Sequence, residues 1–395
     1  MNKYLLVINA GSSSIKFAIY QIDTSLTELT ANATGQIEGI GNQPNLTINS
    51  FEGLLLVNRK LSVNEVHDHT SAITLMLDWL RNYLADGTLL AVGHRVVHGG
   101  QLYSTPILIN ATVLTELETL VPLAPLHQPN NLAIIDSILK SMPYLPQVAC
   151  FDTAFHRSQP DVAQRFAIPR RFTEEGVRPY GFHGLSYEYI STVLPRLDPK
   201  LSNARIIVAH LGSGASLCAI HHGQSIATTM GFSPLDGLMM GTRCGNIDPG
   251  VLLYFMDHHK MNVHTVEQLL YYQSGLLGVS GISSDMRTLL ANDNPHAKEA
   301  IELFVYRIRR EIGSLIAALD GIDALVFTGG IGEHSPEIRS KICHQATWLD
   351  LELDDYANET SSIRISTYNS RISGWVVPTD ENLVIANHTL QHVTF

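Results

Sequence analysis

The sequence predicts an α/β protein of two duplicated domains, each a mixed β-sheet flanked by helices. Three observations indicate this fold class. The chain has 395 residues, which is long for one hydrophobic core and suits two domains. Two similar Gly/Ser hairpins are separated by about 200 residues. The second half also contains a buried strand followed by a glycine-rich turn and a helix start, a pattern typical of α/β folds.

The first element is a hairpin at the start of the chain, VINAGSSSIKFAI (7–19). It aligns with VAHLGSGASLCAI (208–220) in five of thirteen columns, and both segments predict strand, turn and strand. No Gly-Lys pair occurs in the chain, so the first hairpin is not a Walker loop. Two unrelated hairpins would explain the match. The separation favours instead a duplicated domain, with two phosphate-binding turns that face one cleft.

Two later segments predict helix starts near glycine or serine. DALVFTGGIGEHSPEIRSKI (323–342) predicts a buried strand, a glycine-rich turn and a helix with Ser335 as its N-cap. GISSDMRTLL (281–290) predicts a helix capped by Ser283 or Ser284. Exposed N–H groups at helix starts suit an anion or a nucleotide. Such caps also occur in proteins without ligands, so both interpretations stay open.

The domain boundary is predicted near Phe151 and Asp152. Residues 1–151 then form an N-terminal domain and residues 152–381 a nucleotide-binding domain. The segment 382–395 is predicted to be a helix that packs on the first domain. This arrangement leads us to expect the active site in a cleft between the domains.

Composition disfavours several classes of partner. The net charge of −11 argues against nucleic acid or an acidic membrane, since both require a basic surface. The four cysteines show no C-x-x-C spacing, and no apolar run reaches 18 residues. We therefore expect a cytoplasmic protein with no nucleic-acid or membrane partner.

Polar groups flanked by glycine or proline are candidates for chemistry. The segments that contain them are GHRVVHGG, FDTAFH, YGFHG and PLDGLMMGTRCGNIDPG. Their cations and bases are Arg95, Asp152, His183 and Arg243, which together indicate an anion site. Phosphoryl transfer to a carboxylate fits this set, because a carboxylic acid is already ionised at pH 7 and needs no general base. A sugar hydroxyl would need an Asp base.

The chain resembles the family of acetate and propionate kinases along nearly its whole length. The motifs that carry the resemblance are LLVINAGSSSIK, GHRVVHGG, PLAPLH, FDTAFH, YGFHG, HLGSGAS, GLMMGTR, SGLLGVSGISSDMR, GGIGE and PTDE. That family belongs to the actin, hexokinase and Hsp70-ATPase superfamily of ribonuclease H-like folds. The resemblance implies reversible in-line phosphoryl transfer between ATP and acetate, giving ADP and acetyl phosphate. It also implies Mg²⁺, with Mn²⁺ as a substitute, and a homodimer.

The resemblance assigns roles by position. The implied catalytic residues are Asn9, Arg95, Asp152, His183 and Arg243. Those implied to bind substrate are Arg95, Val97, Leu126, Phe182 and Pro234. Those implied to bind ATP are Ser14, Lys16, His210, Gly212, Ser213, Gly214, Asp285, Met286, Arg287, Gly330, Ile331, Gly332 and His334. Asn9 and Glu381 are implied to hold the metal, and Asp152 to help hold it and to position groups without abstracting a proton.

Three alternatives stay open beside acetate kinase. A propionate or butyrate kinase would share the mechanism with a roomier pocket, and Val97 favours acetate over these acids. An ATP-dependent binding or filament protein of the same superfamily would lack a role for the arginines. A sugar kinase would phosphorylate a polyol. The chain departs from most relatives at Ser213, His334 and 244–246, which puts nucleotide affinity and purine selectivity in doubt.

Overall fold

The computed structural model describes residues 2–11, 13–23 and 29–393. The chain divides into two compact units, Met1–Ala154 with Asp380–Phe395, and Phe155–Thr379. The first hairpin is described except for residue 12, and the last two residues of the predicted C-terminal helix lie outside the described ranges. No helix in the described part of the chain is long and apolar enough to cross a membrane.

In its described residues, unit 1 contains an eight-stranded mixed sheet and four α-helices. Its strands are β1 (Lys3–Ala10), β2 (Ser14–Ile22), β3 (Leu29–Glu38), β4 (Asn45–Ser50), β5 (Leu55–Lys60), β6 (Thr88–Val96), β7 (Ile107–Leu108) and β8 (Gln147–Phe151). Its helices are α1 (His69–Leu84), α2 (Ala111–Glu118), α3 (Gln128–Ser141) and α14 (Glu381–Val393). The strand order is β5-β4-β3-β2-β1-β6-β8-β7.

The centre of this sheet is buried on both faces, as the apolar runs of β1 and β8 require. Strand β1 pairs antiparallel with β2 and parallel with β6, and β6 pairs parallel with β8. The carboxyl ends of β1, β6 and β8 therefore lie side by side at one edge. Helix α14 packs on these strands, and its first residue is Glu381.

Unit 2 contains a five-stranded mixed sheet in the order β11-β10-β9-β12-β13. Its strands are β9 (Arg205–Leu211), β10 (Ala215–His221), β11 (Gln224–Thr228), β12 (Ala324–Thr328) and β13 (Ser373–Val376). Its helices are α4 (Arg170–Glu174), α5 (Gly184–Leu197), α6 (Pro249–Asp257), α7 (Val263–Tyr272), α8 (Gly275–Ser280), α9 (Met286–Leu290), α10 (Pro295–Leu319), α11 (Gly329–His334), α12 (Pro336–His344) and α13 (Asp355–Glu359).

The two sheets share one arrangement, which confirms the predicted duplication. In unit 1, β3, β2 and β1 are successive antiparallel strands, followed by β6 and β8 in parallel pairing. In unit 2, β11, β10 and β9 are antiparallel, followed by β12 and β13 in parallel pairing. The two aligned hairpins are β1–β2 and β9–β10. Both sheets are mixed and flanked by helices, as expected.

The predicted position of the Ser335 cap is confirmed, whereas the predicted turn before it and the predicted cap at Ser283 or Ser284 are wrong. The segment GGIGEH is itself a short helix, α11, rather than a turn. Ser335 stands at the N-cap of α12 but makes no side-chain capping bond. Helix α9 is capped by Asp285, whose carboxylate accepts the Arg287 N–H at 2.8 Å, and not by either preceding serine. A carboxylate two residues before that N–H suits the cap better than a serine further away.

Candidate active site

Unit 1 brings four predicted polar residues together at the carboxyl ends of its parallel strands. Asn9 on β1 lies opposite Arg95 on β6 in the parallel register. Asp152 directly follows β8, and Glu381 begins α14. Lys16 on β2 pairs with Asn9 across the hairpin. Side chains at neighbouring strand ends of an α/β sheet form its usual ligand site.

Arg95 is the centre of this group. Its Nε donates to Asp152 Oδ1 at 2.9 Å, its Nη2 donates to Asp152 Oδ2, and its Nη1 donates to Asn9 Oδ1 at 3.0 Å. Glu381 Oε2 lies 3.9 Å from Arg95 Nε. The two carboxylates raise the pKa of Arg95 against the opposing effect of burial. The guanidinium is therefore fixed in one orientation and stays charged.

The oxygen atoms of this group suit a hard cation. Asp152, Glu381 and Asn9 supply carboxylate and amide oxygens, which Mg²⁺ prefers. The Glu381 side chain is 17% exposed, and its pKa is raised by burial and by Asp152 and lowered by Arg95 and Lys16. In the described ranges, no three His, Cys, Asp or Glu side chains form a metal cluster. This donor set fits a cation that keeps water and phosphate ligands.

Of the two predicted acyl-pocket residues of unit 1, Val97 lies at these strand ends. Val97 directly follows β6 and is 4% exposed, and Leu126 is half-buried. The Val97 N–H donates to Asn131 Oδ1 at 3.1 Å, and Asn131 Nδ2 donates to the Ala10 carbonyl at 3.1 Å. Asn131 thus ties the end of β1 to the start of the pocket. Asn131 was not predicted, because its position on α3 gives no local signal.

The hairpin turn of unit 1 is tight. The Gly11 N–H donates to the Ser14 carbonyl at 2.8 Å. A Cβ on Gly11 would lie 3.0 Å from Ser14 Oγ, so the glycine keeps this turn compact. Ser14 and Lys16, predicted to bind ATP, both lie on β2 next to the group around Arg95.

In unit 2, His183 is held at the start of α5. Its backbone is left-handed, with φ of 58°, and its Nδ1 is hydrogen-bonded to Ser216 Oγ at 2.8 Å. Its ring stacks on His210 with centroids 4.3 Å apart, and His210 Nδ1 is hydrogen-bonded to Ser186 Oγ at 2.9 Å. Ser216 is fully buried on β10 and was not predicted. Both rings are therefore fixed by serine hydroxyls.

Arg243 and His183 converge on the second Gly/Ser turn. A Cβ on Gly214 would lie 3.3 Å from His183 Nε2 and 3.5 Å from Arg243 Nη2. Arg243 Nη1 donates to the Pro234 carbonyl at 2.7 Å, which joins two predicted residues. Phe182 is buried, and its carbonyl is hydrogen-bonded to His156 Nε2 at 2.9 Å. The absence of a side chain at Gly214 allows the imidazole of His183 and the guanidinium of Arg243 to approach this turn closely.

A cavity of about 800 Å³ in unit 2 contains most of the predicted nucleotide residues. Its lining includes Gly212, Ser213, Asp285, Met286, Arg287, Gly330, Ile331 and His334. It also includes residues that were not predicted, namely Ser284, Leu290, Ser335, Pro336 and Glu337. Gly332 does not line it, because that glycine packs against Phe327 and Ala209. The volume suits a small organic ligand.

Glu333 fixes the glycine-rich helix at this cavity. Its Oε1 accepts the Gly329 N–H at 2.7 Å, the Thr328 hydroxyl at 3.3 Å and the Thr379 N–H at 3.2 Å. The first amide of α11 is therefore bound by a protein carboxylate rather than left for a ligand. Glu333 was not among the predicted residues, because its role depends on a contact 46 residues away.

The polar residues of unit 1 and those of unit 2 can each bind a defined kind of ligand. Unit 1 presents a fixed guanidinium, an amide and carboxylates, which can hold an anion and a hard cation. Unit 2 presents a guanidinium, an imidazole and a glycine turn next to a nucleotide-sized cavity. Such donors stabilise negative charge that spreads over a phosphoryl group in transfer.

The comparisons with known proteins agree with this chemistry. The model of the acetokinase family matches residues 4–387. An acetate kinase of Rhodopseudomonas palustris is 53% identical over 98% of this chain and 98% of its own. An acetate kinase of Rhizobium meliloti is 49% identical over 98% of this chain and 97% of its own.

Solved structures of acetate and propionate kinases also superpose on this chain. A propionate kinase of Francisella tularensis superposes with a TM-score of 0.90 at 37% identity, over 98% of this chain and 99% of its own. The acetate kinase of Porphyromonas gingivalis superposes with a TM-score of 0.87 at 36% identity, over 99% of this chain and its whole length.

Proposed function

The chain belongs to the acetokinase family, and on this premise we propose how its residues carry out the reaction. The protein interconverts ATP and acetate with ADP and acetyl phosphate, as a phosphotransferase with a carboxyl group as acceptor. The observation that carries the proposal is the convergence of His183 Nε2 and Arg243 Nη2 at Gly214. These donors are placed to receive the charge of a moving phosphoryl group.

Acetate is the nucleophile without help from a base. Its carboxylate is ionised at pH 7, so the barrier lies in bringing it to the anionic γ-phosphate. Arg243 and His183 reduce this repulsion by donating to the phosphoryl oxygens as the charge spreads in the transition state. The Pro234 carbonyl and Ser216 hydroxyl hold the two donors in place before substrate arrives, which lowers the cost of ordering them.

Arg95 acts on the acetate carboxylate. Asp152 and Asn9 hold its guanidinium on three nitrogen atoms. We assign Asp152 to the positioning of Arg95 and to the metal environment, because proton abstraction has no part in this reaction. Lys16, next to Asn9 in the hairpin register, adds positive charge for the transferred group.

Magnesium completes the proposed site, and Mn²⁺ is expected to replace it. Glu381 and Asn9 would hold the ion with Asp152 nearby, because they are the hard oxygen donors of this group. When bound, the ion neutralises the nucleotide phosphates and orients them. Burial raises the pKa of Glu381, with Asp152 adding to the rise and Arg95 and Lys16 opposing it, and a bound cation would lower this pKa.

The nucleotide is proposed to occupy the cavity of unit 2. Gly212, Ser213, Gly214 and His210 are assigned to its phosphates, and the α9 and α11 segments to its adenosine. Ser213 carries a hydroxyl, and its reach to a phosphate is expected to pass through water. The exposed imidazole of His334 is assigned to a position beside the purine.

A short alkyl tail is proposed to bind against the apolar side chains of Val97, Leu126, Phe182 and Pro234. A small pocket separates acids by ~1 to 3 kcal/mol per methylene. The test is Mg-ATP-dependent acyl phosphate formation, trapped as the hydroxamate, with acetate, propionate and butyrate side by side. We expect acetate to be fastest. A faster rate with propionate would keep the mechanism and reject this account of the pocket, while no product from folded protein would reject the reaction.

We also propose that the protein works as a homodimer in the cytoplasm, on the ground of the family resemblance. A propionate kinase is the second candidate, because one similar structure carries that name. A nucleotide-driven binding or filament protein would hydrolyse ATP regardless of added carboxylic acid, and a sugar kinase would accept a polyol. The assay with acetate, propionate and butyrate distinguishes these two classes of protein from a carboxylate kinase.

A further inference from the structure

Unit 2 contains a group of arginines that are not among the residues assigned to the site just described. Residues 157–178 contain five arginines and three acidic residues, in a chain whose net charge is −11. The arginines are Arg157, Arg165, Arg170, Arg171 and Arg178. In the described part of the chain, none of them forms an ion pair within 4 Å. Elsewhere, arginines such as Arg95, Arg205 and Arg287 are paired.

Two of these arginines bury N–H groups without partners. Arg157 Nε and Nη1 and Arg178 Nε are shielded from solvent and have no hydrogen-bond acceptor among the described residues. Buried donors of this kind are costly when they stay unpaired. Both residues are only partly buried overall, and Arg157 Nη2 and the two Nη atoms of Arg178 are not among the shielded atoms, so a ligand could reach each guanidinium group through these nitrogens.

The segments that carry the two arginines lie side by side, because Nε2 of the neighbouring His156 is hydrogen-bonded to the Phe182 carbonyl at 2.9 Å. The pKa of Arg178 is lowered first by burial and next by the charge of Arg157, with Arg165 adding a smaller like-charge effect. Only Tyr180 and Asp161 oppose this shift. The charge on this surface is therefore undercompensated by the protein itself.

The backbone around Arg178 is held rigidly. The Tyr180 hydroxyl donates to the Gly176 carbonyl at 2.8 Å, and the Tyr180 N–H donates to the Gly231 carbonyl at 2.9 Å. The Arg178 guanidinium lies 5.9 Å from the centre of the Tyr180 ring. On the other side, the 3-10 turn Ala154–Ser158 carries Arg157, and Ser158 Oγ donates to the Ser225 carbonyl at 3.2 Å.

We propose that Arg157 and Arg178 form a second anion site, which binds a compact ligand with two or more negative charges, carried by phosphate or carboxylate groups. Guanidinium forks match both groups in geometry. The ligand would accept N–H groups from both guanidinium groups and offset the positive charge that the protein leaves uncompensated. This site is separate from the residues assigned to acetate and ATP.

The experiment measures the binding of inorganic phosphate and of succinate to the full-length protein by calorimetry. Chloride keeps the ionic strength constant, since general screening would otherwise change the result. The variants are the double substitution Arg157→Gln with Arg178→Gln, and Arg196→Gln as a control on an exposed arginine of α5. The rate of acetyl phosphate formation from acetate and Mg-ATP, measured without added phosphate or succinate, shows that each variant is folded and active.

We expect the double variant to bind the anion at least about tenfold more weakly, since each charge-assisted hydrogen bond contributes on this scale, while Arg196→Gln binds as the wild type does. Binding of phosphate alone, or of succinate alone, would show whether the natural ligand carries phosphate or carboxylate groups. If the Gln variants fail to fold, Arg157→Lys with Arg178→Lys keeps the charge, loses the fork and should also weaken binding.

Equal affinity in the wild type and the double variant would overturn the proposal, because the anion would then be bound at the acetate or nucleotide residues. No binding to the wild type at matched ionic strength would overturn it as well. A change in oligomer mass of the double variant, without a change in anion binding, would assign the arginines to a protein contact instead. If the wild type forms no acetyl phosphate, only the function proposed above is rejected, because the anion-binding result does not depend on it.

Discussion

At the scale of single residues, the orientation of Arg95 depends on Asp152, which accepts from Nε and Nη2 of its guanidinium. Asp152→Asn keeps the shape but removes the charge and one acceptor. We expect kcat to fall by about 100-fold or more, as small displacements of a positioned group have this effect, while the fold persists. Steady-state kinetics with acetate and ATP measure it. Asp323→Asn is the matched control, because Asp323 makes the same forked pair with Arg205 away from the site.

Val97 tests the acyl pocket at the same scale. Val97→Ala removes two methyl groups from a residue that is 4% exposed. We expect the ratio of kcat/KM for propionate to that for acetate to rise about tenfold, within the range for one methylene. Val96→Ala is the control, since Val96 is buried in the apolar cluster with Tyr103 and Phe151. An unchanged ratio in Val97→Ala would contradict the assignment.

His94 carries a pH dependence of stability rather than of catalysis. It is buried with its Nε2 hydrogen-bonded to Gln147 Oε1 at 2.7 Å, and burial lowers its pKa to about 4. The unfolded chain takes up the proton near pH 6.5, so this stability is complete above that pH and is lost as the pH falls towards about 4. We expect the free energy of unfolding to lose about 1 kcal/mol per pH unit from this group.

The measurement is denaturant unfolding of the wild type and His94→Gln between pH 4.5 and 7.5, a window chosen from the two pKa values. Glutamine does not titrate. The slope of the free energy of unfolding against pH should therefore decrease by the contribution of one bound proton. Parallel curves for the two proteins would exclude His94 as the source.

At the scale of elements, helix α11 is held by Glu333, whose carboxylate joins its first amide to Thr379. Glu333→Gln weakens the acceptor at the edge of the nucleotide cavity. We expect the KM for ATP to rise about tenfold, since charge-assisted hydrogen bonds are worth about 1.5 to 3 kcal/mol, with a smaller change in the KM for acetate. Glu299→Gln, on an exposed position of α10, is the control. Equal changes in both KM values would indicate a general structural effect.

The elements also show what the sequence could predict. Both Gly/Ser hairpins were predictable, because two short apolar runs flank a glycine at which the chain turns tightly. Helix α11 was missed, since GGIGEH has three glycines and no apolar periodicity, and Glu333 stabilises it from within. The cap at Asp285 was missed because neighbouring serines satisfy the same pattern. Asn131 and Ser216 could not be found, as their contacts join distant segments.

At the scale of the whole molecule, the duplication explains how one chain supplies two sets of anion-binding groups. Each unit repeats three antiparallel strands followed by two parallel ones. The strand ends of the first carry Asn9, Arg95 and Asp152, and the second carries His183, Arg243 and the nucleotide cavity. The sequence repeat predicted this arrangement. It did not predict β4, β5 and β7, which have no counterpart in the second sheet.

The most direct test of this account is Mg-ATP-dependent acetyl phosphate formation by the wild type, Arg95→Ala and Arg243→Ala, with Arg196→Ala as the exposed control. A single cationic contact contributes ~10³ to 10⁵ in rate in other phosphoryl-transfer enzymes. We predict acetate-dependent turnover by the wild type and the control, and a kcat at least about 100-fold lower in each site variant with the fold intact. Turnover like that of the wild type in either site variant, or ATP consumption that ignores acetate, would contradict it.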